Sequence, residues 1–304
     1  MLSLHINDET AQLKAVVLGR ADGQGEPPRI ADAYDPKSME NLKFGTYPKQ
    51  KDMIEEMEAV KKILERYGVK VYQPEFIPKC NQIFARDIGF VIEDKFIKAN
   101  ILPERERELT ALHKSLDKIP DENIIQFPEE VHVEGGDVMP CGDYIFVGVY
   151  RGGDYSDMIS ARTNRYAIKA LQTLFPHKKV KSFNLRKSNT NPRKNALHLD
   201  CCFQPVGNNN AIIHRDSFLE NEELEWLIDL YGEDRLFEVT EEEMYHMNCN
   251  IFSISPDVVL SGEKFTRLNG WLQKNGITVE AVPYAEIAKQ SGLLRCSTLP
   301  LIRE

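Results

Sequence analysis

The chain has 304 residues, 42% of them hydrophobic and 28% charged, with a formal net charge of −9. That length can bury one large core or two smaller ones. The acidic balance repels phosphates and argues against a nucleic-acid partner; the densest basic stretch, HKKVKSFNLRKSNTNPRK, reads as a solvated loop.

No apolar run approaches the roughly 20 residues of a membrane-spanning helix. The opening MLSLHINDETAQL has neither the charged start nor the apolar centre of a secretory signal. A cytoplasmic protein without membrane contact is therefore expected. The six cysteines, Cys80, Cys141, Cys201, Cys202, Cys249 and Cys296, show no C-x-x-C spacing. They are expected to be thiols rather than structural zinc ligands.

From the N-terminus, LKAVVLG reads as a strand, KDMIEEMEAVKKILERYG as a helix and VKVYQP as a second strand. GFVIEDKFIKAN then gives two apolar runs around a turn at Glu93-Asp94, followed by a helical pattern in ERERELTALHKSL and a β-prone NIIQF. DVMPCGDYIFVGVY repeats this order with a turn at Cys141-Gly142-Asp143, a helix in RTNRYAIKALQTLF and a strand in KVKSFN. CCFQPVGNNNAIIHRD turns at Gly207-Asn208-Asn209 and leads to NEELEWLIDLYG and RLFEVT. NIFSISPDVVLSG turns at Pro256-Asp257 and leads to KFTRLNGWLQKNG, with Gly276 suited to a helix C-terminus, and then TVEAV.

Turn formers between short β-prone runs indicate hairpins. Apolar residues recurring at three and four indicate amphipathic helices. The whole chain, 1–304, thus reads as one α/β domain of about five hairpin–helix–strand units, roughly 50 residues each. Such units stack in a line or close in a ring.

Polar residues stand just before each hairpin. NQIFARD ends in Asp87, VEGGD holds Glu134 and Asp137, HLD holds His198 and Asp200, and NCN holds Asn248 and Asn250; near the C-terminus, RC holds Arg295 and Cys296. In a repeat architecture these positions share one end of the structure. Taken singly, each has an ordinary reading: Cys296 as a small buried hydrophobe, His198 as a satisfied core group, and the Gly-Gly of EGGD as a tight turn capped by Asp137. If HLD is strand, His198 and Asp200 share a face.

A cysteine with a histidine suggests nucleophilic catalysis. Neither His132 nor His198 has a second histidine at ligand spacing, so no metal is expected. A peptidase would leave the acids unexplained, because carboxylates around a thiol raise its pKa. They make sense if the substrate is a cation, and a guanidinium pairs with carboxylates through paired hydrogen bonds.

In order, NQIFARD, VEGGDV, ARTN, ALHLD and RCSTLPLIR resemble the guanidine-modifying superfamily of arginine deiminases, dimethylarginine dimethylaminohydrolases and amidinotransferases. The resemblance runs from about LKAVVLGRA to the end. It implies a five-bladed α/β propeller, no cofactor and a small guanidino substrate related to arginine. A homo-oligomer is compatible with it.

Cys296 matches the nucleophile, His198 the general acid/base and Glu134 the acid beside it. Asp87 and Asp200 match the carboxylates that grip the guanidinium. Asn81 and Phe84 match residues lining the substrate slot, and Arg162 and Arg105 match arginines that hold a substrate carboxylate. The implied activity is hydrolysis of arginine or a derivative through an amidino-thioether on Cys296. The alternatives are amidino transfer to an amine acceptor and non-enzymatic binding of an arginine-like ligand. Two features depart from the deiminases: there is no room for their extra helical insertion, and YRGGDYSDMIS lengthens the stretch before Arg162. Its glycines and polar residues suit a loop bordering the site mouth.

Overall fold

Hairpins form where turn formers split two apolar runs, and each apolar run then buries both faces, so the strands are almost uniformly nonpolar. The computed structural model describes residues 2–112 and 117–304. Strand β1 (Leu13–Leu18) is followed after the helix Gln50–Arg66 by β2 (Lys70–Tyr72), which pairs parallel to it.

The next four units share one plan: an antiparallel hairpin, then a third strand parallel to the second strand of the hairpin. They are β3 (Gly89–Ile92), β4 (Lys95–Lys98) and β5 (Ile124–Gln126); β6 (Val138–Cys141), β7 (Tyr144–Val149) and β8 (Lys179–Asn184); β9 (Phe203–Val206), β10 (Asn210–Ile213) and β11 (Leu236–Glu238); and β12 (Phe252–Ser255), β13 (Val258–Gly262) and β14 (Thr278–Val282).

The helices Arg165–Leu174, Asn221–Tyr231 and Thr266–Lys274 join hairpin to third strand in the last three units. In the second unit a short helix, Glu106–Thr110, is described; the end of the expected helix, residues 113–116, lies outside the described residues. The basic stretch expected as a loop contributes β8 in its first half.

The first unit is completed by the other end of the chain. Strand β15 (Thr298–Arg303) pairs antiparallel to β1, from Leu13 opposite Arg303 to Leu18 opposite Thr298. The apolar tail is therefore half of a hairpin whose partner lies at the start of the sequence. Five three-stranded sheets result, and β15 adjoins β3 while β1 adjoins β12, so the units close into a five-bladed α/β propeller. Alternate residues of the closing pair face different cores. Val16 and Leu18 join one cluster, and Ala15, Val17, Leu299 and Leu301 another.

Helix Gln50–Arg66 presents Met53, Met57, Val60 and Leu64 on one stripe. It packs on β2 and reaches β14 of the fifth blade, which seals the junction from outside.

A charged group also locks this junction. Arg295 is wholly buried. Its Nε and Nη2 donate to the two carboxylate oxygens of Glu9 at 3.0 Å each, and its Nη1 donates to Asp200 Oδ2 at 2.9 Å. Burial would raise the Glu9 pKa, but Arg295 and Arg86 outweigh it and bring the carboxyl from 4.5 down to about 2.

Glu9→Gln leaves Arg295 short of a counter-ion, so it should cost about 3–5 kcal/mol at neutral pH. Because the folded-state pKa of Glu9 is depressed, its contribution is present above pH 4.5 and is lost as pH falls towards about 2. Urea unfolding of both proteins at neutral pH and at about pH 3 should show the gap narrowing in acid. An unchanged gap would show that Glu9 is not the group that titrates.

Candidate active site

Each polar residue singled out before a hairpin lies in or beside a tight turn. Ala85–Ile88 and Leu294–Ser297 are turns; Gly135–Asp137 and Leu199–Cys201 are single 3₁₀ turns. The HLD segment is thus not strand. His198 caps the turn and Asp200 lies within it, rather than the two alternating on a face, yet both still reach the centre. Sharp backbone reversal at the ends of the inner strands aims these side chains at the propeller axis.

The Gly-Gly of EGGD is required by close approach. A Cβ on Gly136 would lie 2.6 Å from His198 Nδ1, and one on Gly135 would lie 2.2 Å from the Arg86 carbonyl oxygen. Asp137 ties one blade to the next, because its Oδ1 accepts from the Leu199 backbone N–H at 2.9 Å.

Asp87, Glu134, His198, Asp200 and Cys296 all converge and are all buried. His198 Nε2 lies 2.8 Å from Glu134 Oε2, which fixes the ring and turns Nδ1 towards Asp87 Oδ1 at 3.7 Å. Neither Nδ1 nor that Oδ1 has a hydrogen-bond partner among the described residues. Cys296 Sγ lies 3.6 and 3.7 Å from the two oxygens of Asp200.

Atoms of Asp87, His198 and Cys296 all fall within 4.8 Å of one another. No metal was expected from the sequence, yet the fold gathers three ligand types within reach of one cation. A guanidinium is a cation of the required size with N–H donors for the acids.

Asn250 contacts Cys296 directly, an engagement the sequence did not reveal. Its Nδ2 donates to Cys296 Sγ at 3.2 Å, and its Oδ1 accepts from the backbone N–H of Cys296 at 3.1 Å and of Leu293 at 3.2 Å. Its place before the fourth hairpin was the available signal, but asparagines are common at turns for purely local reasons.

A cavity of about 900 Å³ opens over this centre; Asn81, Phe84, Asp87, Arg105, Arg162, His198 and Cys296 line it. Glu134 and Asp200 stand behind that wall. Phe84 lies flat enough against Gly292 that a Cβ there would come within 2.4 Å of its ring. Asn81 Nδ2 donates to Gln290 Oε1 at 2.7 Å.

The two arginines expected to hold a substrate carboxylate line the cavity but are engaged by protein acids. Arg105 grips Glu108 through Nε and Nη2 at 2.8 Å each and donates to Asp87 Oδ2 at 2.7 Å. Arg162 donates to both Glu134 oxygens at 3.3 Å and to the Tyr34 carbonyl at 2.8 Å. The loop expected at the mouth is elsewhere. None of residues 149–160 lines the cavity. Asp154 sits 2.8 Å from His132 Nδ1, Tyr155 stacks on His132, and Arg151 pairs with Glu223.

The electrostatics follow from this packing. Burial works against an ionised Glu134, but Arg162 and His198 hold its carboxyl well below the usual range. Burial raises the Asp87 carboxyl more than His198 and Arg105 lower it. Burial alone would lower His198, yet Asp87 and Glu134 raise it above its ordinary value and favour the imidazolium. Burial, then Asp200 and Asp87, push the Cys296 thiol well above the normal thiol range. The packing therefore favours a charged imidazole beside a protonated thiol, among buried acids that are each paired with an arginine.

Known proteins align with this chain over most of its length. The family model described as N,N dimethylarginine dimethylhydrolase, eukaryotic, matches residues 33–303. An uncharacterized protein, YkgA, of Bacillus subtilis (strain 168) is 30% identical over 224 residues, 73% of this chain and 70% of its own. An arginine deiminase of Listeria welshimeri is 26% identical, over 88% of this chain and 70% of its own.

Among solved structures, the N-terminal domain of ArgZ, an arginine dihydrolase of cyanobacteria, superposes with a TM-score of 0.77 at 16% identity, covering 95% of this chain and 98% of that one. The inosamine-phosphate amidinotransferase StrB1 of Streptomyces griseus superposes with a TM-score of 0.75 at 15% identity, covering 100% and 97%. These two share the fold. The chain belongs to the N,N-dimethylarginine dimethylhydrolase family, within the guanidine-modifying superfamily of propeller enzymes.

Proposed function

We propose that this guanidine-modifying enzyme hydrolyses the guanidino group of arginine or an arginine derivative, with Cys296 as the nucleophile. The observation that carries this reading is the meeting of Cys296 Sγ, a ring nitrogen of His198 and a carboxylate oxygen of Asp87 within 4.8 Å, with His198 Nδ1 and Asp87 Oδ1 both buried without a hydrogen-bond partner among the described residues.

A guanidinium entering the cavity donates N–H groups to Asp87 Oδ1, while Asp200 adds its negative charge from behind the wall. Its positive charge offsets the acids that hold the thiol protonated, so the proton leaves Cys296 for solvent as the substrate docks. The Asn250 amide then supports the thiolate by donating to Sγ. The thiolate attacks the guanidinium carbon. His198, charged and anchored by Glu134, gives its Nδ1 proton to the departing nitrogen as the carbon–nitrogen bond breaks. This leaves an amidino-thioether and a neutral imidazole, which takes a proton from the attacking water and releases a urea-type product and the thiol.

Arg105 and Arg162 serve here by fixing Asp87 and Glu134 and by opposing the burial that works against their ionised forms. A substrate carboxylate at the mouth meets Lys79 and Arg107, which line the same cavity. The volume of about 900 Å³ is near the top of the range for small-molecule sites and leaves room for an amine acceptor. That feature keeps amidino transfer as the second reading.

Incubation with arginine or N,N-dimethylarginine, with and without glycine, distinguishes the readings. Citrulline with ammonia or dimethylamine is the expected result. Ornithine with a new guanidino compound means transfer, and binding without turnover of any guanidine means a binder. Cys296→Ala should abolish turnover, and His198→Asn should slow it by roughly 10²–10⁴-fold. Full activity in Cys296→Ala would end the mechanism.

The raised thiol pKa makes a second prediction that needs no substrate. Carboxamidomethylation of Cys296 in the free enzyme should accelerate only above the ordinary value of 9.0. Asn250→Asp should push that midpoint higher, because it replaces a donor to Sγ with a negative charge. A drop in melting temperature with an unmoved midpoint would make Asn250 a purely structural residue.

A further inference from the structure

The acids that line the large cavity are Glu26, Asp32, Asp35, Asp87, Glu104 and Glu108. Glu26, Asp32 and Glu104 are exposed on its rim. Of the buried ones, Asp87 and Glu108 are both held by Arg105. Asp35 is only 3% exposed, yet it forms no ion pair among the described residues. Lys37, the nearby cation on the same turn, commits its ammonium to the Tyr245 carbonyl and lies 4.5 Å above the Tyr245 ring.

Local sequence accounts for half of this carboxylate. DPKS starts a helix: Asp35 caps Pro36–Lys43, and Pro36 brings the fixed φ suited to the first turn. Asp35 Oδ1 accepts from the backbone N–H of Lys37 at 3.0 Å and of Ser38 at 2.8 Å, and the Ser291 hydroxyl donates to the same oxygen at 2.5 Å. Oδ2 accepts no hydrogen bond among the described residues, and it is not among their sealed, unpartnered atoms, so it keeps surface open to the cavity that Asp35 lines. A cap needs one acceptor oxygen and no charge, and asparagine serves as well. A buried carboxylate with an open oxygen and no counter-ion favours a ligand that brings a charged donor.

The surroundings hold Asp35 in place without neutralising it. The Tyr34 carbonyl accepts from Arg162 Nη2 at 2.8 Å, and Ser291 lies on the segment that leads to Cys296. Asp35 is thus pinned between two walls of the cavity that holds the thiol. Tyr47 also lines that cavity; burial, then the Asp35 charge, raise its phenol pKa and keep it neutral.

We propose that Asp35 is a specificity-determining residue that reads a second positive charge on the substrate. The cavity takes a guanidine whose other end carries an ammonium group, and that ammonium donates to Asp35 Oδ2 while the guanidinium meets Asp87. This rests on the cavity being the guanidine site and adds the substrate class: a guanidine with an amine, whether or not a carboxylate accompanies it.

The test is calorimetric titration of the full chain carrying Cys296→Ala, so that ligands bind without turnover. The ligands are L-arginine, 4-aminobutylguanidine, which lacks the carboxylate, and 5-guanidinopentanoate, which lacks the amine. The two amines should each bind at least about tenfold more tightly than 5-guanidinopentanoate. Asp35→Asn, which keeps the cap acceptor, should weaken both amines about tenfold and leave 5-guanidinopentanoate within about twofold. With Cys296 intact, Asp35→Asn should raise KM for the amine-bearing guanidine far more than it lowers kcat. Binding of 5-guanidinopentanoate as tight as that of arginine, or equal weakening of all three ligands by Asp35→Asn, would overturn the assignment and leave Asp35 a helix cap. The comparison among ligands changes nothing at Asp35, so it decides the matter even if Asp35→Asn is unstable. Preference for the amines without any hydrolysis would uphold Asp35 and overturn only the proposed reaction. Hydrolysis of arginine without that preference would do the reverse, and no binding of any of the three would overturn both.

Discussion

Arg295 joins two carboxylates from distant parts of the chain, Glu9 near the start and Asp200 two-thirds along, and it does so with no exposure to solvent. A guanidinium buried to that degree is stable only if its charge and donors are met. Here Glu9 takes two donors, Asp200 takes one, and the Val138 carbonyl at 2.8 Å takes another. The first, third, fourth and fifth blades thereby agree on one position for residue 295, and Cys296 is its covalent neighbour. The closing strand β15 runs on from the same point, so ring closure and the placement of Cys296 are one structural event.

The second constraint is charge balance around the axis. Asp87, Glu134 and Asp200 are each held by a buried arginine, respectively Arg105, Arg162 and Arg295. The arginines meet these buried carboxylates with charged donors. They do not neutralise the whole shell, since Asp87 and Glu134 also raise His198, and Asp200 and Asp87 raise Cys296. A resting site of this kind is reluctant to form thiolate until a cation arrives. Selectivity for cations and suppression of stray thiol chemistry then have the same electrostatic origin.

The inner turns give this arrangement its rigidity. His198 fits only because Gly136 offers no Cβ, and Asp137 pins the turn that carries His198 and Asp200. Asn250 does the same for the Cys296 turn by accepting from two backbone N–H groups. The converging side chains therefore rest on hydrogen-bonded turns at strand ends, backed by packed blades, rather than on long loops. The 149–160 stretch, with its glycines and polar residues, suits a loop at the site mouth in sequence; it lines no part of the cavity, packs on His132 and Glu223, and touches a lining residue only where the Ile159 carbonyl accepts from Arg162 Nε at 2.7 Å.

Local patterning was enough to reveal the units. Turn pairs such as Glu93-Asp94 and Gly207-Asn208 sit between short apolar runs, and helix periodicity survives in every unit, because both signals depend on residues a few positions apart. The same repetition placed Asp87, Glu134, His198, Asp200 and Cys296 at equivalent positions, and the structure brings all five together. Contacts between residues far apart in sequence leave no such trace. The tail TLPLIR was not legible as a strand because its partner is LKAVVL at the opposite end of the chain. Glu9 showed no sign of matching Arg295. The engagement of Arg105 and Arg162 by Glu108, Asp87 and Glu134 depends on side-chain reach across blades. So the sequence by itself determined the repeat and the recurrence of polar residues before the hairpins. Only the tertiary structure decided which charges neutralise one another, because buried ion pairing depends on three-dimensional distance and desolvation, which spacing along the chain does not encode.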